Sequence, residues 1–409
     1  MMIVLTAQLV MTLLLTYIAF ATIYLLFLAA AYFLVPEPRK AVSEKINTFA
    51  VLIPAHNEEL LISQLCESLL NVDYPKDAYQ VFVIADNCSD RTAEICRGFP
   101  VAVLVRDDPD LPGKGYAIHW ALEQIELEDF DAVFMVDADN RVDSQVLREL
   151  NNSINNGEVA IQCFNGVGNR SASWFTQLLY VARVIGNHLY HHSKYKLGLS
   201  SYLMGNGLCF TSPLLQKTGW TAFSIGEDWE FYGQLVRQGI RVSFAVNSRV
   251  YHVESMSLAQ ATSQRFRWAS GKFNVFKSWG FKLMWLGVRS RDWFLMDASL
   301  PLVLPNYSLL VNMTLAAFFF SLFVPGPGFQ TAATASSLVL LGGQIALFLA
   351  GIYLAGDYPA VFKAVLRAPF FLVWKSVIDF CSFSGIHRPG KWIRTARHLP
   401  GSKRTAKWR

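Results

Sequence analysis

Asp137 and Asp139 follow the apolar run Ala132–Val136 in the order Asp-Ala-Asp. Alternate residues leaving a strand can turn both carboxylates toward one cation, and carboxylates with phosphate oxygens are the ligands Mg²⁺ or Mn²⁺ prefers. A D-x-D triplet alone is equally a solvated turn. Two further groups add weight. Asp86 ends the run Val81–Ala85 and presents an acceptor-only carboxylate, suited to a base N–H. Lys114 lies within Gly113-Lys114-Gly115, where glycine permits close backbone approach and the ammonium can neutralise phosphate. Neither G-x-G-x-x-G nor G-x-x-x-x-G-K-[ST] occurs, so neither a Rossmann dinucleotide site nor a P-loop is supported.

These groups need elements to aim them. Short apolar runs at Phe49–Pro54, Val81–Ala85, Val101–Val105 and Ala132–Val136 read as strands. Helical patterns at Glu58–Leu70, Asp90–Arg97 and Gly115–Ile125 lie between them. Such alternation predicts a parallel α/β sheet with its ligand site at the carboxyl ends of the strands. His56-Asn57-Glu58, Asp86-Asn87 and Asp137-Ala138-Asp139 all sit where a strand stops. One acidic group at a strand end is an ordinary cap; three clusters on one rim suggest a site. A long helical stretch at about 172–196 carries His188, His191 and His192 with no acidic partner in step, which argues against metal there.

The 409 residues are 53% hydrophobic and 16% charged, against roughly 25% charged in an average soluble domain. No Asp, Glu, Lys or Arg precedes Glu37 or falls between Asp297 and Asp357. This distribution excludes a disordered tail protein and a disulfide scaffold, and points to a soluble domain set between membrane segments. Residues 1–35 exceed the roughly 20 apolar residues a span requires. They lack a basic n-region, and Arg39 and Lys40 follow them, so the N-terminus is expected outside and the chain beyond residue 36 in the cytoplasm. The second silent block breaks at Pro325-Gly326-Pro327-Gly328, predicting spans at about 299–324 and 333–356. Apolar residues 359–380 carry Lys363, Arg367 and Lys375 and read as an interfacial amphipathic helix, with a further crossing as the alternative. The six cysteines form no C-x-x-C pair and suit buried thiols in a reducing compartment. The net charge of +5 is concentrated from His387 onward, where eight Lys/Arg meet no acid. One short basic tail after membrane segments suits anionic lipid rather than nucleic acid.

Expected units are therefore a transmembrane helix at 1–36, a cytoplasmic catalytic domain at 37–275 and interfacial helices at 276–298. A transmembrane hairpin at 299–356, an amphipathic helix at 357–386 and a basic tail at 387–409 follow.

Val51-Leu52-Ile53-Pro54-Ala55-His56-Asn57-Glu58-Glu59, Asp86-Asn87-Cys88-Ser89-Asp90, Asp137-Ala138-Asp139, Glu227-Asp228 and Gln264-Arg265-Phe266-Arg267-Trp268 occur in that order. The set resembles the family 2 glycosyltransferases over about residues 48–275. The last group has the Q-x-x-R-W form of the membrane-integrated branch, which holds cellulose, hyaluronan and poly-N-acetylglucosamine synthases and ceramide glucosyltransferase. The resemblance implies a GT-A fold (an α/β, Rossmann-like mixed sheet) joined to transmembrane helices. It also implies a nucleotide-diphosphate sugar donor, a UDP-sugar by analogy, with Mg²⁺ or Mn²⁺ and inversion at the anomeric carbon. Pro54, His56, Glu58 and Asp86 would then hold the base and ribose, and Lys114 the phosphates. Asp137 would lie along the nucleotide, Asp139 would bind the metal, and Asp228 would be the general base. Gln264 and Arg267 would clamp the diphosphate. Trp268 would stack under the acceptor, near Gly205-Asn206-Gly207.

These roles suit the residue types: one carboxylate for the hydroxyl proton, and metal and Arg for a departing diphosphate. The bland readings are first-turn helix acids for Asp228 and Glu230, and an interfacial anchor for Arg267 and Trp268. The chain has Gly226 where many members have Thr before Glu-Asp, and Ala269-Ser270-Gly271-Lys272 after the Trp maps onto no substrate preference. The leading expectation is polysaccharide synthesis at the cytoplasmic face of a bacterial inner membrane, with an oligomer or export partner completing the channel. Single sugar transfer to a lipid is the alternative, and a non-catalytic scaffold a minor one.

Overall fold

The computed structural model describes residues 2–39 and 43–384; the basic stretch from His387 lies outside them. Eight strands form one sheet: β1 (Phe49–Ala55), β2 (Tyr79–Asp86), β3 (Ala102–Arg106), β4 (Ala132–Met135), β5 (Asn140–Val142), β6 (Ala160–Val167), β7 (Leu208–Thr211) and β8 (Ser243–His252). Their order is β3-β2-β1-β4-β7-β6-β8-β5. The half from β3 to β4 is parallel, as the alternation of elements predicts. Beyond β4 the sheet is mixed, because β7 pairs antiparallel with both β4 and β6 while β6 and β8 run parallel. Strands such as β1, with Phe49–Ile53 wholly buried, carry apolar residues on both faces, as a sheet covered by helices on each side requires.

The helices are α1 (Met2–Leu34), α2 (Ile62–Leu70), α3 (Thr92–Arg97), α4 (Lys114–Glu123), α5 (Val146–Asn155), α6 (Trp174–Val184), α7 (Ser193–Lys196), α8 (Ser212–Thr218), α9 (Glu227–Arg237), α10 (Leu258–Val275), α11 (Phe281–Ser290), α12 (Trp293–Val303), α13 (Tyr307–Ser321), α14 (Pro327–Ala355), α15 (Tyr358–Val365) and α16 (Ala368–Ser384). A wider π-helical stretch, Ile185–His192, joins α6 to α7, so the helical region expected at 172–196 is present. Ser173 starts α6 with a capping box through Thr176, satisfying two backbone donors at once. His192 does meet an acid: Glu37 Oε1, from beyond α1, lies 2.8 Å from its Nε2. Helical register could not show that partner.

Among the described residues, α1 and α14 are each long and apolar enough to cross a membrane. The continuous helix expected at about 299–324 is instead α12 and α13, bent by 73°. Pro305 has no N–H to continue a helix and disfavours helical backbone at the residue before it. Leu304 is accordingly extended, and Asn306 starts α13 afresh by accepting from Leu309 N at 2.9 Å. Since α12 begins at Trp293, it includes Asp297, which the predicted span omitted. Asp297 Oδ1 accepts from Tyr24 of α1 at 2.7 Å, and its Oδ2 is 3.1 Å from the ammonium of fully buried Lys194. This cluster ties α1, α7 and α12 together. α16 lies against α10, with Trp374 Nε1 donating to Thr262 Oγ1 at 3.1 Å. Phe370, Val373, Val377 and Phe380 leave an exposed apolar stripe on its other side.

Candidate active site

The parallel half of the sheet brings the ends of β1, β2 and β4 to one rim. At its outer part, Asn57 and Asn87 adopt left-handed backbone, with φ of 55° and 48°. Asn57 holds the two loops together, its Oδ1 accepting from Ser89 N at 2.7 Å and Asp90 N at 3.2 Å. His56 Nδ1 lies 2.7 Å from the Asp86 carbonyl oxygen, Glu58 N donates to Thr92 Oγ1 at 2.7 Å, and Pro54 is the next-to-last residue of β1. Asp86 is buried and paired, its Oδ1 accepting from Arg106 Nη1 at 2.6 Å. Burial pushes the Asp86 carboxyl up, against the pull of Arg106. The sequence does not single out Arg106; a lone cation ending a strand before Asp107-Asp108 is its only signal.

The inner part gathers residues from five separate segments. Lys114, the first residue of α4, donates to Asp137 Oδ1 at 2.5 Å and to the Gly205 carbonyl, and lies 3.8 Å from Glu227 Oε1. Burial pulls the Lys114 ammonium down, but Asp137 and Glu227 outweigh it and hold the pKa above its ordinary value. Asn206 joins the Gly205-Asn206-Gly207 loop to the same place, its Oδ1 accepting from Asp137 N at 3.1 Å. Glu227 and Asp228 open α9. Burial and the neighbouring Glu227 carboxylate push Asp228 up to about 7, the range in which a carboxylate serves as a general base near neutral pH. Arg267 of α10 feels the charges of Glu227 and Asp137. Among the described residues, the buried Oε1 of Gln264 has no hydrogen-bond partner, an acceptor left for some incoming donor.

Trp268 stands slightly apart, 38% exposed, with the Arg265 guanidinium 4.4 Å from its ring centre. Arg265 is held by buried Glu254 at 2.7 Å. Motif spacing gives no sign of Glu254, of Glu227 as a partner of Lys114, or of Arg183.

Gly205 has φ of +78°, and a Cβ there would come within 3.1 Å of Asp228 Oδ2. Left-handed backbone costs about 1–2 kcal/mol for a residue with a Cβ. Gly205→Ala is therefore expected to lower stability by about that much and to impair turnover more than nucleotide binding. A melting curve with a nucleotide titration checks both.

Asp137 and Asp139 are two hard carboxylates at a strand exit. Among the described residues no three His, Cys, Asp or Glu side chains gather to hold a metal unaided. That donor set fits Mg²⁺ or Mn²⁺ completed by substrate phosphate oxygens.

A mixed sheet with helices on both faces, and acids and cations at the carboxyl ends of its parallel strands, defines a GT-A glycosyltransferase. The sequence profile of the family described as "Glycosyltransferase like family 2" matches residues 47–271, and the chain belongs to that family. It is 25% identical over 247 residues to the probable glycosyltransferase YdaM of Bacillus subtilis, covering 58% of each chain. It is also 25% identical over 257 residues to the beta-monoglucosyldiacylglycerol synthase of Trichormus variabilis, covering 58% of this chain and 51% of that one. These alignments reach only a little over half the length of either relative. Among solved structures, the fold resembles mannosyltransferase PcManGT from Pyrobaculum calidifontis, determined with GDP-Man and Mn²⁺. The TM-score is 0.51 at 16% identity, covering 91% of this chain and 99% of that one.

Proposed function

We propose that this glycosyltransferase, of the membrane-integrated Q-x-x-R-W branch, moves a sugar with inversion from a UDP-sugar to a hydroxyl of a membrane lipid at the cytoplasmic face. The observation that carries the transfer is the convergence of Asp228 with Lys114, Asp137, Glu227 and Arg267 at one rim. Asp228 takes the acceptor proton as the hydroxyl oxygen attacks the anomeric carbon. The bond from that carbon to the diphosphate breaks on the opposite side. Lys114 and Arg267 take up the charge of the leaving diphosphate, and Gln264 supports it. His56, Glu58 and Asp86 line the nucleotide end, with Pro54 shaping the turn, and Trp268 and Gly205-Asn206-Gly207 face the acceptor. Asp139, with Asp137 beside it, would hold Mg²⁺ or Mn²⁺, which supplies further charge neutralisation on the diphosphate.

The lipid acceptor is favoured over a growing polysaccharide by the packing of the apolar helices. Gln344 of α14 donates to Thr22 of α1 at 3.0 Å and Thr314 of α13 at 2.8 Å. Buried Ile18, Leu310, Ala317 and Ala333 fill the space between the same helices. A bundle closed this way suits an anchor better than an export path, unless an oligomer or partner builds one.

Incubating the purified protein with radiolabelled nucleotide sugars and membrane lipid is expected to give glycolipid; a long polymer would overturn the lipid assignment. Arg267→Ala should weaken nucleotide-diphosphate binding and turnover together, because a charge-assisted contact contributes about 1.5–3 kcal/mol. Unchanged binding in a nucleotide titration would remove Arg267 from the donor clamp. For topology, cysteine labelling should find residues 37–290 inside and residue 2 outside; the reverse would invert the orientation.

A further inference from the structure

The motif residue left without a role, Lys272, lies in a ring of cations and aromatic side chains that reaches the neighbour of Asp228. Its ammonium is 5.4 Å from the ring centre of Trp229, the neighbour of Asp228 in α9. Trp229 stacks on Tyr202 at 4.6 Å. On the far side, Arg183 and Arg265 lie 5.9 and 4.4 Å from the ring centre of Trp268. Lys375 of α16 is near enough to Arg265 and Lys272 for their charges to act on one another.

The ring is short of negative charge. Glu254 is already engaged by Arg265 at 2.7 Å, His252 at 2.8 Å and Arg183 at 3.7 Å. Asp379 is paired with Lys375. Four cations thus face two carboxylates, of which only Asp379 keeps an oxygen, buried Oδ2, without a hydrogen-bond partner among the described residues, and Lys272 forms no ion pair there. Its one hydrogen bond, to the Leu304 carbonyl at 3.3 Å, uses one of three donors. A half-buried cation without an ion-pair partner is costly, and burial with Lys375 nearby pulls its pKa down to about 8, against the opposing charge of Asp379. The donor end of the site has its own cations, Lys114 and Arg267, set against Asp137 and Glu227.

We propose that this collar binds the phosphate of a lipid whose headgroup also carries a hydroxyl, with Lys272 as the principal contact, and presents that hydroxyl to Asp228. The inference rests on the lipid-acceptor reading and deepens it. The collar lies between α9, α10 and α16, and the exposed apolar stripe of α16 offers a surface along which acyl chains can lie. The exposed part of Trp268 supplies apolar surface for the glycerol part.

The test uses the full chain in phosphatidylcholine nanodiscs, with phosphatidylglycerol, diacylglycerol of the same acyl chains and inorganic phosphate as probes. Tryptophan fluorescence reads binding. Phosphatidylglycerol should bind at least about tenfold more tightly than diacylglycerol, the size of one good charge contact. Lys272→Gln should lose that preference and Lys272→Arg should keep it, with UDP affinity unchanged in both. Lys282→Gln, an exposed lysine on α11, should behave as wild type, which separates the collar from general attraction of anionic lipid. Equal binding of the two lipids, or wild-type behaviour of Lys272→Gln, would overturn the proposal. So would parallel loss of UDP affinity in Lys272→Gln, or inorganic phosphate binding as tightly as the lipid. Sugar transfer to diacylglycerol without phosphatidylglycerol binding would sink the collar and leave the lipid reading standing. Polymer as the sole product would sink the lipid reading itself.

Discussion

Asp228→Asn is expected to lower turnover by about 10²–10⁴-fold, the usual cost of losing general-base catalysis, while nucleotide-diphosphate affinity stays at the wild-type value. The substitution preserves size and hydrogen bonding but cannot accept the acceptor's proton at neutral pH. On the proposed assignment Asp228 meets the acceptor, while Lys114 and Arg267 carry the positive charge for the diphosphate. The pH profile gives an independent check. Burial and Glu227 raise Asp228 to about 7, and the base works only when deprotonated. In the wild type kcat/KM should therefore fall as pH drops through about 7 and level off above it. Asp228→Asn should lack that limb. A wild-type profile flat across that range, or a variant that loses nucleotide affinity, would move the base assignment elsewhere.

Removal of divalent cation is expected to abolish turnover, with Mn²⁺ or Mg²⁺ restoring it to the wild type and failing to restore Asp139→Ala. Charge stabilisation of a departing diphosphate by a metal is worth several kcal/mol, about 10³-fold or more in rate. The physical basis is the donor set. Asp137 is shared with Lys114 at 2.5 Å; on the proposed assignment Asp139 would lead the coordination, and substrate oxygens would complete the shell. Mn²⁺ binding measured by electron paramagnetic resonance should accordingly strengthen when UDP is added and weaken in Asp139→Ala. Full activity in excess chelator would return Asp137-Ala138-Asp139 to an ordinary turn.

Much of the catalytic rim is legible in the order of the residues. Parallel strands aim their carboxyl ends at one edge, so polar residues placed where apolar runs stop, at His56, Asp86 and Asp137, have to share that edge. Local chemistry also sets the long apolar helices: two blocks without a charged residue hold α1 and α14, each long and apolar enough to cross a membrane. The bend between α12 and α13 is written in Pro305, but uninterrupted hydropathy on both sides conceals it.

The sequence by itself determined the four strands of the parallel half, the apolar helices α1 and α14, and which residue types meet at the strand ends. These properties depend on periods of two or 3.6 residues and on single-residue chemistry. Only the tertiary structure decided that the sheet turns antiparallel beyond β4, that Arg106 sits on Asp86, and that Asp297 of α12 receives both Lys194 and Tyr24. It alone brought Glu227 to Lys114 across 113 positions of chain, and Lys272 to a ring with more cations than carboxylates. Ion pairs between distant segments leave no periodic trace in a chain. The direction in which a strand enters a sheet depends on where its connection crosses, and the packing of the whole core sets that path.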